Sequence, residues 1–483
     1  MPNEIELKLE VTHEAADAIE SSGLLADDPK SANQHSIYFD TPDHTLFKAG
    51  LSLRIRRSGG RRIQTTKAEG ASAAGLFVRS EWERTVKSDT PVLDDTTPIR
   101  ALLGDVGEAI APLFEVQVVR HSWTIDASDA TIELVLDRGE VIVGERRSRI
   151  CEIELELKHG DPAALFGLAR RIDAVAPVRM GVLTKSERGY RLTGPAARSV
   201  KAEPVLLAPD MTAEQAFRVI VHSCVRQFRL NEALLLMDRD PGALHQARVA
   251  LRRLRSAFSI FKPMIGDAGT NLRQELSWLA SELGDTRNLD VLLERAKPGS
   301  LYDLIATARK AAYDRVCEVL SSLRVRGLML DLAEWTAGHT WLDGSGSDTE
   351  DNRPSREFAV TALNRFRRKV KKGGRDLANG DDEARHEVRK DAKKLRYAAE
   401  FFASLFERKR ETRRYKRFVA ALIVLQDRLG ALNDLAAAPE VLEKLALADD
   451  PGALKLLDTG EKKRLLEKAA DAYEDLFDTK RFW

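Results

Sequence analysis

In EIELKLE, residues 4–10, Glu4, Glu6, Lys8 and Glu10 share one strand face and Ile5, Leu7 and Leu9 the other, because successive strand side chains point to opposite sides. CEIELELK, residues 151–158, repeats the pattern with Glu152, Glu154, Glu156 and Lys158. One charged strand face is ordinarily a solvated face. Here the alternation recurs. LSLRIRR (51–57) sets Arg54 and Arg56 against Leu51, Leu53 and Ile55, and VRSEWERTV (78–86) sets Arg79, Glu81 and Glu83 against Val78, Trp82 and Val86. Glutamates beside several arginines and lysines suit a polyphosphate. The carboxylates hold Mg²⁺ or Mn²⁺, the metal polarises phosphorus, and the cations neutralise developing charge.

Such residues must be positioned by strands. Segments near 3–11, 35–40, 51–57, 61–67, 78–86, 114–126, 130–143 and 148–158 read as eight strands, with turn signals such as SGGRR (58–62) and DRGE (137–140) between them. Short helices are expected over 13–22, near 98–110 and over 161–173. Eight antiparallel strands can close into a barrel. With the apolar faces outward under the helices, the charged faces line the interior. Lys67 shares its face with Ile63, and Arg120 with Val116 and Val118, so strict alternation brings those two cations inside only through a bulge. His13, His35, His44 and His121 are isolated and read as surface or satisfied histidines.

The chain has 483 residues, enough for two or three domains, and 43% apolar with 31% charged residues is ordinary for a soluble globular protein. No apolar run is long enough to span a bilayer, and no basic-then-apolar leader opens the sequence. Cys151, Cys224 and Cys317 are odd in number and far apart, so neither a disulfide framework nor a metal knuckle is expected, and the cytoplasm is the expected compartment. Residues 1–200 carry 26 Lys and Arg against 31 Asp and Glu, net −5; the rest carry 50 against 44, net +6. NRFRRKVKKGGR (364–375) and RRYKR (413–417) concentrate the positive charge.

GPAARSVKAEP (194–204) reads as a linker, and from about residue 210 helical periods run to the end, interrupted by the polar, acidic HTWLDGSGSDTEDNRP (339–354). The helical part is duplicated. HQARVALRRLRSAFSIF starts at His245 and HEVRKDAKKLRYAAEFF at His386, an offset of 141; LGDTRNLD (283–290) and LGALND (429–434) recur farther on. His245, Arg248, Arg252 and Arg255 fall on one helix face, as do His386, Arg389, Lys393 and Arg396. Val249, Leu254, Phe258 and Phe261 form the apolar stripe of the first copy, and Val388, Leu395 and Phe402 that of the second. Three cations headed by a histidine on one face repel locally, so their recurrence points to an anion site. No HExxH or paired histidine spacing supports a metal at these histidines, no P-loop is present, and sparse aromatics argue against nucleic acid.

Two family resemblances fit these residues. EIELKLE, YFDTP (38–42), LRIRR (53–57), QTTKA (64–68), RSEWE (79–83), RHSW (120–123), ELVLDRGEV (133–141), CEIELELK and LTKSERGY (183–190) follow, in order, the pattern of the CYTH family, the triphosphate tunnel metalloenzymes. The resemblance covers about residues 1–195. It implies an eight-stranded antiparallel β-barrel tunnel with short flanking helices. It also implies metal ligands at Glu4, Glu6, Glu152 and Glu154, triphosphate ligands at Lys8, Arg54, Arg56, Lys67, Arg120 and Lys185, and supporting carboxylates at Glu81 and Glu83. Residues 207–483, after a linker at 196–206, resemble the CHAD family. That implies an all-α domain of two pseudo-twofold-related four-helix bundles, about 207–338 and 355–483, with the histidine faces in a basic channel for inorganic polyphosphate. Asp285, Arg287 and Asp290 lack clear counterparts in the shorter GALND segment and are not assigned.

The expected fold is therefore α+β, and the expected activity is Mg²⁺- or Mn²⁺-dependent hydrolysis of inorganic tripolyphosphate to pyrophosphate and phosphate, with Glu4, Glu6, Lys8, Glu152 and Glu154 at the reaction. Long-chain polyphosphate is the expected partner of the helical part, and no membrane partner is expected. The alternatives are a polyphosphate-binding, granule-targeting protein whose catalysis is secondary or lost, or an enzyme acting on thiamine triphosphate or a nucleotide.

Overall fold

The computed structural model describes residues 4–25, 28–68, 71–73, 75–104, 109–127, 129–338, 353–444 and 462–483. Most of the expected acidic connection at 339–354 lies outside the described residues. The chain forms two compact units, Met1–Arg198 with Leu323–Gly338, and Ser199–Ser322 with His339–Trp483.

Along the chain to residue 198 run β1 (Glu4–Glu10), α1 (His13–Glu20), β2 (Lys30–Asp40), α2 (Thr45–Lys48), β3 (Leu51–Ser58), β4 (Arg61–Ala68), β5 (Ala71–Ala73), β6 (Leu76–Arg79) and β7 (Glu81–Thr85). They are followed by α3 (Pro98–Leu103), β8 (Ala111–Ala127), β9 (Ala130–Val143), β10 (Arg146–His159), α4 (Ala163–Val175), β11 (Arg179–Met180) and α5 (Lys185–Thr193). Then come α6 (Ala213–Asp238), α7 (Pro241–Ile260), α8 (Lys262–Ile265), α9 (Thr270–Arg295), α10 (Ser300–Ser321), α11 (Leu323–Ala337), α12 (Ser355–Gly373), α13 (Asp382–Phe401), α14 (Lys409–Lys444) and α15 (Lys462–Asp478).

The strands of the first unit pair antiparallel in the order β5-β6-β1-β10-β9-β8-β2-β3-β4-β7, with β11 against β1. The strand expected over 78–86 is split at Ser80: β6 pairs with β1, and β7 with β4. The single stretch Leu76–Thr85 thus spans the open side of the curled sheet. At the β3–β4 hairpin, Gly59 and Gly60 take φ of +53° and +78°, which two-residue hairpin turns of this hand require. Apolar faces point outward as expected. Phe39, Leu53, Ile55, Ile99 and Leu103 share one core with Leu46 of α2. α4 buries Leu165, Phe166 and Ile172 while lying against β1 and β10. α11, assigned from sequence to the helical region, packs on α4: Arg170 pairs with Asp331 at 2.6 Å and Arg326 with Asp173 at 2.6 Å.

The bulges expected for Lys67 and Arg120 are absent. The β3–β4 and β8–β9 ladders run without a shift past both residues, and the one irregularity of β8 lies between Pro112 and Phe114. Val116, Val118 and Arg120 all face inward. Part of the interior is simply apolar: Tyr38, Phe114, Val116, Val118, Val141 and Ile150 form a core closed by Tyr190 of α5.

The second unit keeps the 141-residue offset in its packing. Asp240 caps α7 and Asp381 caps α13, each accepting from backbone N–H groups of the first turn. Phe217 and Phe358, and Phe261 and Phe402, are related by the same offset. Their rings meet at the centre, with centroids 4.9 Å apart for Phe217–Phe261 and 4.5 Å for Phe261–Phe358. Leu254, Phe258, Leu395 and Phe402 are buried as expected, whereas Val249 is only half-buried. All three cysteines are free. No helix among the described residues is long and apolar enough to cross a membrane.

Candidate active site

The inward face of β1, β8, β9 and β10 carries a compact ionic network. Register explains it: Lys8 lies opposite Glu154, Glu152 opposite Asp137, and Asp137 opposite Arg120. α5 adds Lys185 at its first position, set by a capping box between Thr184 and Glu187. Lys8 Nζ donates to Glu152 Oε1 at 2.9 Å and Glu154 Oε1 at 2.5 Å. Lys185 Nζ stands 2.7 Å from Asp137, 2.6 Å from Glu152 and 2.7 Å from Glu154. Arg120 forks onto Asp137, its Nε at 2.8 Å and Nη2 at 2.5 Å, and reaches Glu154 Oε2 at 2.9 Å. Lys8 is 2% exposed and Glu152 and Asp137 0%.

Buried charges persist only when paired. Burial alone would raise the glutamates' pKa values and lower those of the lysines. For Glu152 the nearby Lys185 and Lys8 overcome it and hold the carboxyl down at about 2. Glu154 is held well below its usual range by the same lysines and Arg120. Glu152 and Glu154 outweigh burial at Lys8, and Asp137, Glu152 and Glu154 do so at Lys185, so both ammonium groups are stabilised. Close approach at Lys8 depends on Gly181: a Cβ there would stand 2.7 Å from Lys8 Cγ, while its N–H donates to the Lys8 carbonyl at 2.8 Å.

The other expected residues form neighbouring groups. Lys67 bridges Glu4 at 2.8 Å and Glu81 at 3.1 Å, tying β4 and β7 to β1. Arg56 reaches Glu83 at 3.3 Å, and Glu83 accepts from Thr65 at 3.0 Å. Arg54 lies 3.5 Å from the Tyr38 hydroxyl, with its Nε buried and unpartnered. Glu6 Oε1 is 3.5 Å from Lys8 Nζ. The expected metal quartet of Glu4, Glu6, Glu152 and Glu154 is therefore not gathered at one point. Among the described residues, the group with metal-ligand spacing is Asp137, Glu152 and Glu154, whose carboxylate oxygens lie within 4.8 Å of one another. Hard oxygen donors of this kind fit a divalent cation such as Mg²⁺ or Mn²⁺, and Glu152 Oε2 is buried without a hydrogen-bond partner. Sequence reasoning missed Asp137, whose face depends on two strand registers, and Arg188, which pairs with Glu10 and lies 3.8 Å from Glu152. The i,i+3 spacing of Lys185 and Arg188 on α5 was the available signal.

In the second unit, His245, Arg248 and Arg252 on α7 meet Arg287 of α9. Burial, then Arg287, Arg252 and Arg248, hold the His245 pKa down at about 4. Burial, Arg252 and Arg287 likewise lower Arg248 to about 10, although it donates to the Ala280 carbonyl at 3.3 Å. The Nε atoms of Arg248 and Arg252 are buried without a hydrogen-bond partner, Arg255 reaches Ser277 Oγ at 3.2 Å, and on α13 Arg396 Nε lies 3.7 Å from Glu400. On α13, His386 is exposed and its Nδ1 lies 2.8 Å from Asn433 Oδ1 of α14. Arg389 and Lys393 follow on the same helix. Arg287 and Asn433, left unassigned from sequence, thus stand beside the two histidines.

Residues 2–190 match the CYTH domain family and residues 219–443 the CHAD domain family. The chain is similar to the inorganic triphosphatase of Haemophilus influenzae, 30% identical over 203 residues, which is 40% of this chain and 55% of that protein. It therefore spans about half the length of that relative. An uncharacterized protein of Mycobacterium tuberculosis is 27% identical over 408 residues, 75% of each chain. The crystal structure of the CHAD domain of the plant Ricinus communis covers 57% of this chain and 96% of its own, with 28% identity and a TM-score of 0.50. The barrel and the duplicated helical unit thus belong to known families, and the chain is a CYTH domain followed by a CHAD domain.

Proposed function

We propose that the first unit is a metal-dependent inorganic triphosphatase that hydrolyses tripolyphosphate to pyrophosphate and phosphate, and that the second binds long-chain inorganic polyphosphate. The observation that carries the first part is the buried network of Asp137, Glu152 and Glu154 with Lys8, Arg120 and Lys185, in a domain similar to an inorganic triphosphatase. These ion pairs are exchangeable. A triphosphate competes for the two lysines and Arg120, and the carboxylates they leave are hard donors for a divalent ion. When bound, Mg²⁺ or Mn²⁺ would withdraw charge from phosphoryl oxygens. Arg54 and Arg56 extend the cationic wall and orient the chain of phosphates. The apolar core around Tyr190 limits water at one end of the interior.

The second part rests on Arg248 and Arg252, whose buried Nε atoms have no hydrogen-bond partner, and on the His245 face recurring at His386. Clustered guanidinium groups suit a linear polyanion.

The experiment is phosphate release from tripolyphosphate, ATP and thiamine triphosphate with Mg²⁺, Mn²⁺ or EDTA. Tripolyphosphate is expected to be preferred and EDTA to stop release. Asp137→Asn with Glu152→Gln is expected to abolish turnover and leave long-chain binding intact. Salt-sensitive retention of polyphosphate without release under any metal would make the chain a binding protein.

A further inference from the structure

The basic stretches at 364–375 and 413–417 are not used by the barrel site, and in the second unit the C-terminus brings them together. After α15 the tail turns back over α12 and the start of α14. Phe482 is buried edge-on against Phe406 and Tyr415, with centroids 5.3 Å away in each case, and Trp483 packs on Phe418 at 5.2 Å. Trp483 Nε1 and Arg481 Nη1 donate to the same Asn364 Oδ1, at 3.0 and 3.1 Å, and Arg414 Nη1 donates to the Arg481 carbonyl at 3.3 Å. This aromatic lock carries Arg481 to Arg367 and Arg368. Together with Asn364 the three arginines line a cavity of about 400 Å³.

Arg367 lies 4.8 Å over the Phe477 ring, and its Nε is shut off from solvent without a hydrogen-bond partner. Burial, then the charge of Arg481, lowers its pKa. Among the described residues, no carboxylate ion-pairs with any of the three arginines. Like charges held together at this range repel. An anion in the cavity removes that cost.

We infer that this cavity is a second anion site of the helical unit, taking a compact anion of two or three linked phosphoryl groups. Guanidinium forks match phosphoryl oxygens two at a time, and three of them with one amide suit a few such groups. The site is separate from the histidine face: Arg414 and Asn433, the partner of His386, are nineteen residues apart on α14, roughly 28 Å of helix. The ligand is either free pyrophosphate or tripolyphosphate, or the end of a longer chain.

The test is hydrogen–deuterium exchange on the full chain in EDTA, which halts any metal-dependent turnover, with pyrophosphate, tripolyphosphate, long-chain polyphosphate or sulfate. Peptides covering 364–372 and 476–483 are expected to gain protection with the phosphate ligands and much less with sulfate. Protection by the two short anions assigns a free ligand; protection by the long chain alone assigns a chain end. In Arg368→Gln with Arg481→Gln, two exposed side chains, about tenfold more ligand is expected for the same protection. Arg248→Gln with Arg252→Gln is expected to leave it unchanged. No protection, equal protection by sulfate, or loss in the Arg248/Arg252 variant would overturn the inference.

Discussion

Lys8 and Glu154 face each other across the β1–β10 ladder, with Nζ 2.5 Å from Oε1, and Lys185 reaches the same oxygen from α5 at 2.7 Å. One half-buried carboxylate oxygen thus holds two ammonium groups. Whatever replaces that oxygen must carry comparable negative charge, and a phosphoryl group does.

Glu154→Gln tests this exchange. It leaves Lys8, Lys185 and Arg120 short of an acceptor, and breaking one member of a buried charge network costs roughly 3–5 kcal/mol. The first unit is expected to melt at lower temperature. Phosphate release from tripolyphosphate is expected to fall by at least about a hundredfold. Tripolyphosphate added with EDTA is expected to raise the variant's melting temperature more than the wild type's, because the anion supplies the missing charge. Equal shifts in calorimetry would mean that these lysines do not meet the phosphates.

The same network sets a pH profile for stability. Glu152 and Glu154 have folded-state pKa values below their ordinary value of 4.5, so their contribution is present above 4.5 and is lost as pH falls toward about 2. Lys8 and Lys185 have folded-state values above 10.5, so theirs is complete below 10.5 and is lost as pH rises through the folded values. The first unit's melting temperature is expected to be level across neutral pH and to drop on the acid side between about 4.5 and 2. Calorimetry of Glu152→Gln is expected to show a shallower acid slope. An unchanged slope would place the acid sensitivity elsewhere.

The sequence reading reached the strands because alternation survives in a one-sided barrel, and it reached the duplication because the 141-residue offset repeats a whole helix. It placed Glu152, Glu154 and Lys8 on inward faces for the same reason. It did not find Asp137, which joins Glu152 only through the β8–β9–β10 registers. Nor could it see that Val116, Val118 and Arg120 share an inward face, since a part-apolar interior follows from where α5 packs. Arg287 and Asn433 escaped because each meets its histidine from a different helix.

Gly189 couples packing to the site. A Cβ at that position would stand 2.2 Å from the Phe114 ring, so Gly189→Ala must lift α5, whose first residue is Lys185. Overpacking of this kind costs about 1–3 kcal/mol. Turnover is expected to fall by about tenfold or more with a raised KM, while long-chain polyphosphate binding is unchanged. Phe114→Leu in the same chain is expected to recover part of the activity by making room. Failure of the second substitution to help would separate the effect from the ring contact.

If the helical unit binds polyphosphate as proposed, His245 is expected to make that binding proton-linked. Its pKa of about 4 leaves it neutral at pH 7, and the charges that depress it, after burial, are those of Arg287, Arg252 and Arg248. A polyanion that neutralises those arginines raises the histidine's pKa, so binding takes up a proton and strengthens as pH falls from neutrality through the bound-state value. Calorimetric titration with long-chain polyphosphate near pH 6, in buffers of different ionisation enthalpy, is expected to show proton uptake that His245→Asn reduces. Replacing Arg248, Arg252, Arg389 and Lys393 by Ala is expected to weaken binding at moderate salt and spare tripolyphosphate hydrolysis. Uptake that is the same with and without His245 would mean that the polyanion does not approach the Arg248–Arg252 face, because an anion on that face must relieve the histidine as well as the arginines.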